Sequence, residues 1–283
     1  MKLQLALCNE VLEHLPFEQQ CELAAALGYQ GLEIAPFTLA PDPMALTAAD
    51  GRAWAKTAAD HGLAICGLHW LLSRPEGLSI TTADDAVRRR TEALLERLID
   101  VGEASGARVM VHGSPRQRAP DPGQPVADAL ARATEVWARL AERARAAGLV
   151  YCIEPLASTA TPVVNTLAQA AAIVDAVGSP ALRTMLDLAA GSRAESEPVD
   201  VVLRRHLASG HVAHVQLNDR NRRGPGQGDT PVAPVLRVLR DGGYAGWVSV
   251  EPFEYHPDPV ACAAFSAGHV QGLWNAIAPL PSC

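Results

Sequence analysis

Short apolar runs alternate along the chain with longer stretches in which apolar residues recur every three or four positions. The runs are 3–8, 31–35, 63–70, 107–112, 149–154, 182–188, 211–217 and 246–251. Each is nearly continuous in apolar residues, which predicts strands covered on both faces. The longer stretches, 17–27, 47–61, 83–105, 126–147, 166–177, 199–209, 232–241 and 259–276, are rich in Ala and Leu at helical spacing. Most strands follow a helix-stopping glycine, as at Gly62, Gly106, Gly148 and Gly210. Thr82 and Asn165 stand where helix caps are expected.

Eight strands alternating with eight helices is the count of an α/β protein built as a single (β/α)8 TIM barrel. A doubly wound sheet would carry a glycine-rich turn after the first strand, and Cys8-Asn9-Glu10-Val11-Leu12 has no glycine. No charge run, low-complexity tract or Pro/Ser linker divides the chain. The breaker-rich segment 115–125 reads as a long loop after the fourth strand. Residues 1–283 are therefore predicted to form one TIM-barrel domain.

Composition narrows the partners. The 24 Lys and Arg against 31 Asp and Glu give a net charge of −7, which disfavours nucleic acid and an anionic membrane surface. No apolar run reaches the roughly 18 residues of a bilayer span, and the first ten residues turn polar too early for a signal-peptide core. Cytoplasmic localisation is the expectation. The six cysteines show no C-x-x-C spacing; Cys8, Cys66 and Cys152 lie inside apolar runs, where a free thiol acts as a small hydrophobe.

In such a barrel the chemistry sits at the C-terminal ends of the strands. The polar residues closing the runs are Glu33, His69, His112, Glu154, Asp187, His214 and Glu251. The last four, from strands five to eight, have the type and number to hold one divalent metal ion. Three carboxylates and one imidazole suit a hard cation with open positions: Mn2+ first, then Mg2+ or Co2+, with Zn2+ in a closed tetrahedral site less suited. Taken singly, each residue also has an ordinary use. A strand-end glutamate pairs with a surface cation, Asp187 caps the next helix, and His214 is satisfied at the barrel rim.

Ile153-Glu154-Pro155, Met185-Leu186-Asp187, the block from His214 through Asn218-Asp219-Arg220, Gly224-Pro225-Gly226-Gln227-Gly228-Asp229, and Ser249-Val250-Glu251-Pro252 resemble the xylose-isomerase-like sugar isomerase/epimerase superfamily. The likeness is nearest to its tagatose 3-epimerase and hydroxypyruvate isomerase branches. It implies a divalent-metal-dependent isomerase or epimerase of a small ketose or keto-acid sugar, working by proton abstraction and a metal-stabilised enediolate. On that resemblance Glu154, Asp187, His214 and Glu251 bind the metal, Glu154 and Glu251 form the acid/base pair, and Arg220 holds substrate or orients a carboxylate. A homodimer or tetramer follows from the resemblance alone. Two features depart from the family pattern: Ala190 stands where the epimerases carry a histidine, and no second glutamate follows Glu154 in its loop.

Other residues complete the expected substrate site. Trp70 offers a ring face to sugar C–H groups, with rim packing as the equal alternative. His69 and His112 close their strands, His112 being the stronger candidate. Arg116 or Arg118 is a candidate anion hook, set against a solvated loop whose arginines pair with Asp121 or Asp128. The glycine-rich segment 224–228 lacks the Lys-Ser/Thr of a P-loop and reads as a loop bending Arg220 over the mouth. Rival readings keep parts of this site: a dehydratase resembling the inosose enzymes, an abasic-site endonuclease, or a sugar-binding protein without catalysis.

Overall fold

The computed structural model describes residues 2–277; Cys283 lies outside them. Eight parallel strands close into a barrel in chain order. They are β1 (Gln4–Cys8), β2 (Gly31–Ile34), β3 (Ala64–Leu68), β4 (Val109–His112), β5 (Val150–Ile153), β6 (Leu182–Asp187), β7 (Val212–Leu217) and β8 (Trp247–Val250). The ring is sealed where Gln4 of β1 pairs with Trp247 of β8 and Ala6 with Ser249.

The helices, in chain order, are α1 (Phe17–Ala26), α2 (Pro36–Leu39), α3 (Ala48–Asp60), α4 (Asp85–Ser105), α5 (Val126–Ala146), α6 (Leu167–Val177), α7 (Leu188–Ala194), α8 (Val199–Ala208), α9 (Val232–Asp241) and α10 (Pro259–Ala276). All eight expected strands and eight expected helices are present, with ends shifted by a residue or two. The short helices α2 and α7 are additional, because four and seven residues are too few to display a helical period. The caps also differ from expectation. Asp84, not Thr82, accepts from the Ala86 and Val87 amides. Thr166, not Asn165, forms the α6 capping box with Gln169.

Strand pleating assigns the faces. Val109, Val111, Cys152 and Met185 make a small cluster of their own inside the barrel, apart from the large core between strands and helices. Residues two further along, Glu154 after Cys152 and Asp187 after Met185, therefore point inward at the mouth. His112 follows Val111 and so points outward.

The barrel interior is unusually polar one layer below the mouth. Glu33 is fully buried, with His214 Nε2 2.8 Å from its Oε2 and Gln216 Nε2 donating to its Oε1 at 3.1 Å. Burial opposes the Glu33 charge, but His214 outweighs it and draws the carboxyl down to about 2. Removing one partner of such a buried pair strands the other. Glu33→Ala should lower unfolding free energy by about 3–5 kcal/mol, read from urea denaturation.

Candidate functional site

The C-terminal mouth opens into a cavity of about 240 Å³. That is smaller than the roughly 300–1,000 Å³ of pockets for drug-sized ligands, and suits a molecule of monosaccharide size. Glu154, Asp187 and Glu251 line it from β5, β6 and β8, together with His69 and Trp70 at the end of β3. All three carboxylates are buried.

Each carboxylate is fixed differently. Glu154 packs against Gly113, where an added Cβ would come within 2.1 Å of its Oε2, so a larger residue there would displace the carboxylate. Asp187 caps α7 by accepting from the Ala190 amide at 2.6 Å. Its other oxygen accepts from Asn218 Nδ2 at 2.5 Å, and the same amide reaches the Glu251 carbonyl at 3.2 Å. The Glu251 carboxylate meets His69 Nδ1 at 3.0 Å, and His69 Nε2 lies 2.9 Å from Glu10 Oε2.

Crowding and burial raise the proton affinity of the carboxylates. Burial, reinforced by Asp187, pushes Glu154 up to about 8 against the pull of Arg118. Burial likewise lifts Asp187 to about 6, opposed by the Ala190 amide and Asn218. Glu251 rises by burial against the opposing bond and charge of His69. His69 itself is raised: burial disfavours its charge, but Glu10 and Glu251 outweigh that.

Several expected site residues stand elsewhere. His214 is fully buried and does not line the cavity. On β7 the residue paired with Asp187 is Gln216, whereas His214 pairs with Met185. Strand rise puts the histidine roughly 6–7 Å lower, in the layer of Glu33. With its Nε2 given to Glu33, Gln216 keeps a buried Oε1 with no partner among the described residues. The signal was in the sequence: the run 211–217 ends after Gln216, and period two puts both residues on the inner face.

His112 faces outward, bonded through Nδ1 to the Tyr151 hydroxyl at 2.7 Å and set edge-on to Trp137. Burial there lowers it to about 3, so it is a neutral core histidine that does not line the cavity. Arg116 is exposed and off the cavity, while Arg118 of the same turn is fully buried. The Arg118 guanidinium has no hydrogen-bond partner among the described residues, and its charge acts on Glu154. Arg220 turns to solvent outside the cavity, its amide donating to Thr230 Oγ1 at 3.0 Å. The rim arginines are Arg193 and Arg222.

Arg222 takes the place expected for Arg220 because the loop after β7 turns there. Its carbonyl accepts from the Phe253 and Glu254 amides at 2.8 Å each. The guanidinium lies over the Phe253 ring at 5.2 Å from the centroid. Phe253 in turn meets Trp70 edge to face at 6.2 Å. Among the described residues, Trp70, Ser114, Val164 and Arg222 are the non-glycines with positive φ. Three of these four line the cavity, and backbone strain concentrates at functional sites. Ala157, Ala160, Ala189 and Ala190 form a small-residue wall on the β5–β6 side, where the two family-pattern side chains are missing.

Two sets of residues could hold a cation. Cys8, Glu10, His69 and Glu251 bring one donor atom each to within 4.8 Å of one another. Burial raises the Cys8 thiol well above its usual range, however, and His69 already spans the two carboxylates. The second set is the three cavity-lining carboxylates Glu154, Asp187 and Glu251; Gln216, level with Asp187 on β7 and with an unpartnered Oε1, does not line the cavity. An all-oxygen set fits a hard divalent ion.

The fold and site define a parallel (β/α)8 barrel with an acidic, enclosed mouth. Residues 21–268 match the family described as xylose isomerase-like TIM barrel, and the chain belongs to that family. A probable ketose 3-epimerase of Synechocystis sp. is 29% identical over 213 residues, covering 75% of this chain and 71% of that protein. A D-psicose 3-epimerase of Agrobacterium fabrum is 32% identical, over 62% of this chain and 60% of its own length. The solved L-ribulose 3-epimerase superposes with a TM-score of 0.84 at 22% identity, covering 98% of this chain and 96% of that one.

The raised carboxylates predict a pH effect with a definite sign. Between about 4.3, the unfolded glutamate value, and the raised value of about 8, the folded state binds more protons than the unfolded one, so stability falls as pH rises. Melting curves of chelator-treated protein should show Tm declining from pH 5 to pH 8, with a shallower decline in Glu154→Gln.

Proposed function

We propose that this protein is an epimerase or isomerase of a small ketose or keto-acid sugar, dependent on one divalent cation, with Mn2+ the best match to the donors. The observation that carries the reading is the convergence of three buried carboxylates, from β5, β6 and β8, on one monosaccharide-sized cavity. The ketose 3-epimerases among its relatives support the substrate class. Glu154, Asp187, Gln216 and Glu251 would hold the ion, with Gln216 replacing His214 at the β7 position. When bound, such an ion neutralises negative charge developing on neighbouring sugar oxygens.

The chain's own residues supply the proton transfers. A hydrogen beside a carbonyl is far less acidic than a carboxylic acid, so its removal needs a base held against it and a dry, fixed environment. Glu154 and Glu251 stand three strands apart in a ring of eight, and so reach the cavity from different sides. One takes the proton and the other returns one to the opposite face, inverting that carbon. Return to the adjacent carbon gives an aldose–ketose isomerisation instead. Trp70 and Phe253 furnish an apolar face for sugar C–H groups, and Arg222 donates to hydroxyl or carbonyl oxygens at the rim.

The alanine wall at Ala157, Ala160 and Ala190 favours a second reading, in which proton removal is followed by loss of a β-hydroxyl. A product lighter by one water identifies that dehydratase; a stereoisomer of unchanged mass excludes it.

The test is deuterium uptake from D2O into a panel of ketoses and keto-acid sugars, read by mass. Uptake with Mn2+ that chelation abolishes is the expected result, and none from any sugar with metal bound refutes the reading. Glu154→Gln and Glu251→Gln should each lower kcat by about 10²–10⁴-fold. For the donor set, Gln216→Ala should remove most of the Mn2+-dependent rise in Tm, whereas a full rise would return the β7 ligand to His214.

A further inference from the structure

We propose that Glu10 is a positioning residue for the reaction, acting through His69 to fix the orientation of the Glu251 carboxylate. The inference rests on the role given to Glu251 above. Glu10 does not line the cavity, whereas His69 and Glu251 do, so Glu10 acts at one remove from substrate.

The geometry is a run of close contacts, one hydrogen bond and one ion-pair approach. Glu10 Oε2 lies 2.9 Å from His69 Nε2, and His69 Nδ1 lies 3.0 Å from Glu251 Oε1. All three side chains are buried, His69 at 1% exposure. Nδ1 is hydrogen-bonded to Glu251, while Nε2 faces Glu10 Oε2 at ion-pair distance without hydrogen-bond alignment, so Glu10 acts on the ring through its charge. A long glutamate in a mouth of like charges otherwise has several rotamers, and repulsion from Glu154 and Asp187 would push it off axis.

The far end of the chain is anchored. Glu10 belongs to a single 3₁₀ turn, Asn9–Leu12, that leaves β1 with all four residues buried. Its neighbour Asn9 donates to Gln20 Oε1 at 3.1 Å and Thr38 Oγ1 at 2.7 Å, and accepts from the Ala35 amide at 2.8 Å. The Tyr255 hydroxyl closes on the Glu10 carbonyl at 3.3 Å. The turn is thus tied to α1, to α2 and to the loop after β8. The backbone of Glu10 is a fixed post, and His69, at the end of β3, links the residues that follow the adjacent strands β1 and β8. His69 also lines the cavity, so this role stands beside the expected one as a sugar ligand.

The experiment compares Glu10→Ala, His69→Ala and the double variant, with Glu10→Gln as a control that keeps the side chain's length and removes its charge. Removing such an outer partner typically costs about 10–100-fold in activity. The expected result is a loss of that size in kcat for each single variant, with KM within about threefold of wild type. The double variant should be no slower than His69→Ala, because both act through one carboxylate, and Glu10→Gln should lose as much as Glu10→Ala. A crystal structure of Glu10→Ala should show Glu251 turned from its wild-type position. Wild-type kcat in Glu10→Ala or Glu10→Gln, multiplying losses in the double variant, losses confined to KM, or an unmoved Glu251 would each overturn the proposal. Failure of the epimerase reading is separate: it shows as no proton exchange in wild type, while the position of Glu251 is still read from the crystals.

Discussion

Packing carboxylates into a dry barrel mouth is the constraint on which the rest of the structure depends. Glu10, Glu33, Glu154, Asp187 and Glu251 are all buried in one end and interior of a single eight-stranded ring. An isolated buried charge is costly enough that proteins pair it or let it protonate. Each acid here has a different answer. Glu33 has His214, Glu10 and Glu251 share His69, Asp187 has a helix-terminal amide and Asn218, and Glu154 has the charge of Arg118. What these leave uncompensated appears as raised proton affinity at Glu154, Asp187 and Glu251.

The arrangement separates support from chemistry by layer. One layer down, Glu33, His214, Cys66 and Ser249 form a polar set that Glu33 also links to Gln216 at the level of Asp187. At the mouth, burial raises the proton affinity of all three acids lining the cavity, which favours a bound cation or proton there. Trp70, Phe253 and the small alanines then shape a cavity of about 240 Å³ above the carboxylates.

Strain marks the same region. Trp70, Ser114 and Arg222 hold left-handed backbone at the ends of β3, β4 and the loop after β7, and each borders the cavity. The Arg222 conformation is held by two amides from the segment after β8, which places its guanidinium over Phe253. Two strand ends that are distant in sequence are thereby locked together at the rim.

The alternation of apolar runs and helical stretches determined the barrel, because strands covered on both faces need a helix on the outside and a return to the same edge. It also determined that Glu154, Asp187 and Glu251 share the mouth, since each closes its own run. Only the tertiary structure decided the remainder. A residue that closes a strand points inward or outward according to its pleat, which put His112 in the core with Trp137. The shear of the barrel sets which residue of β7 is level with Asp187, and that residue is Gln216, with His214 beside Met185. The path of the loop after β7 brings Arg222 to the cavity and turns Arg220 to solvent. The chain from Glu10 through His69 to Glu251 joins residues 182 or more positions apart at its second link, a distance that no local period reports.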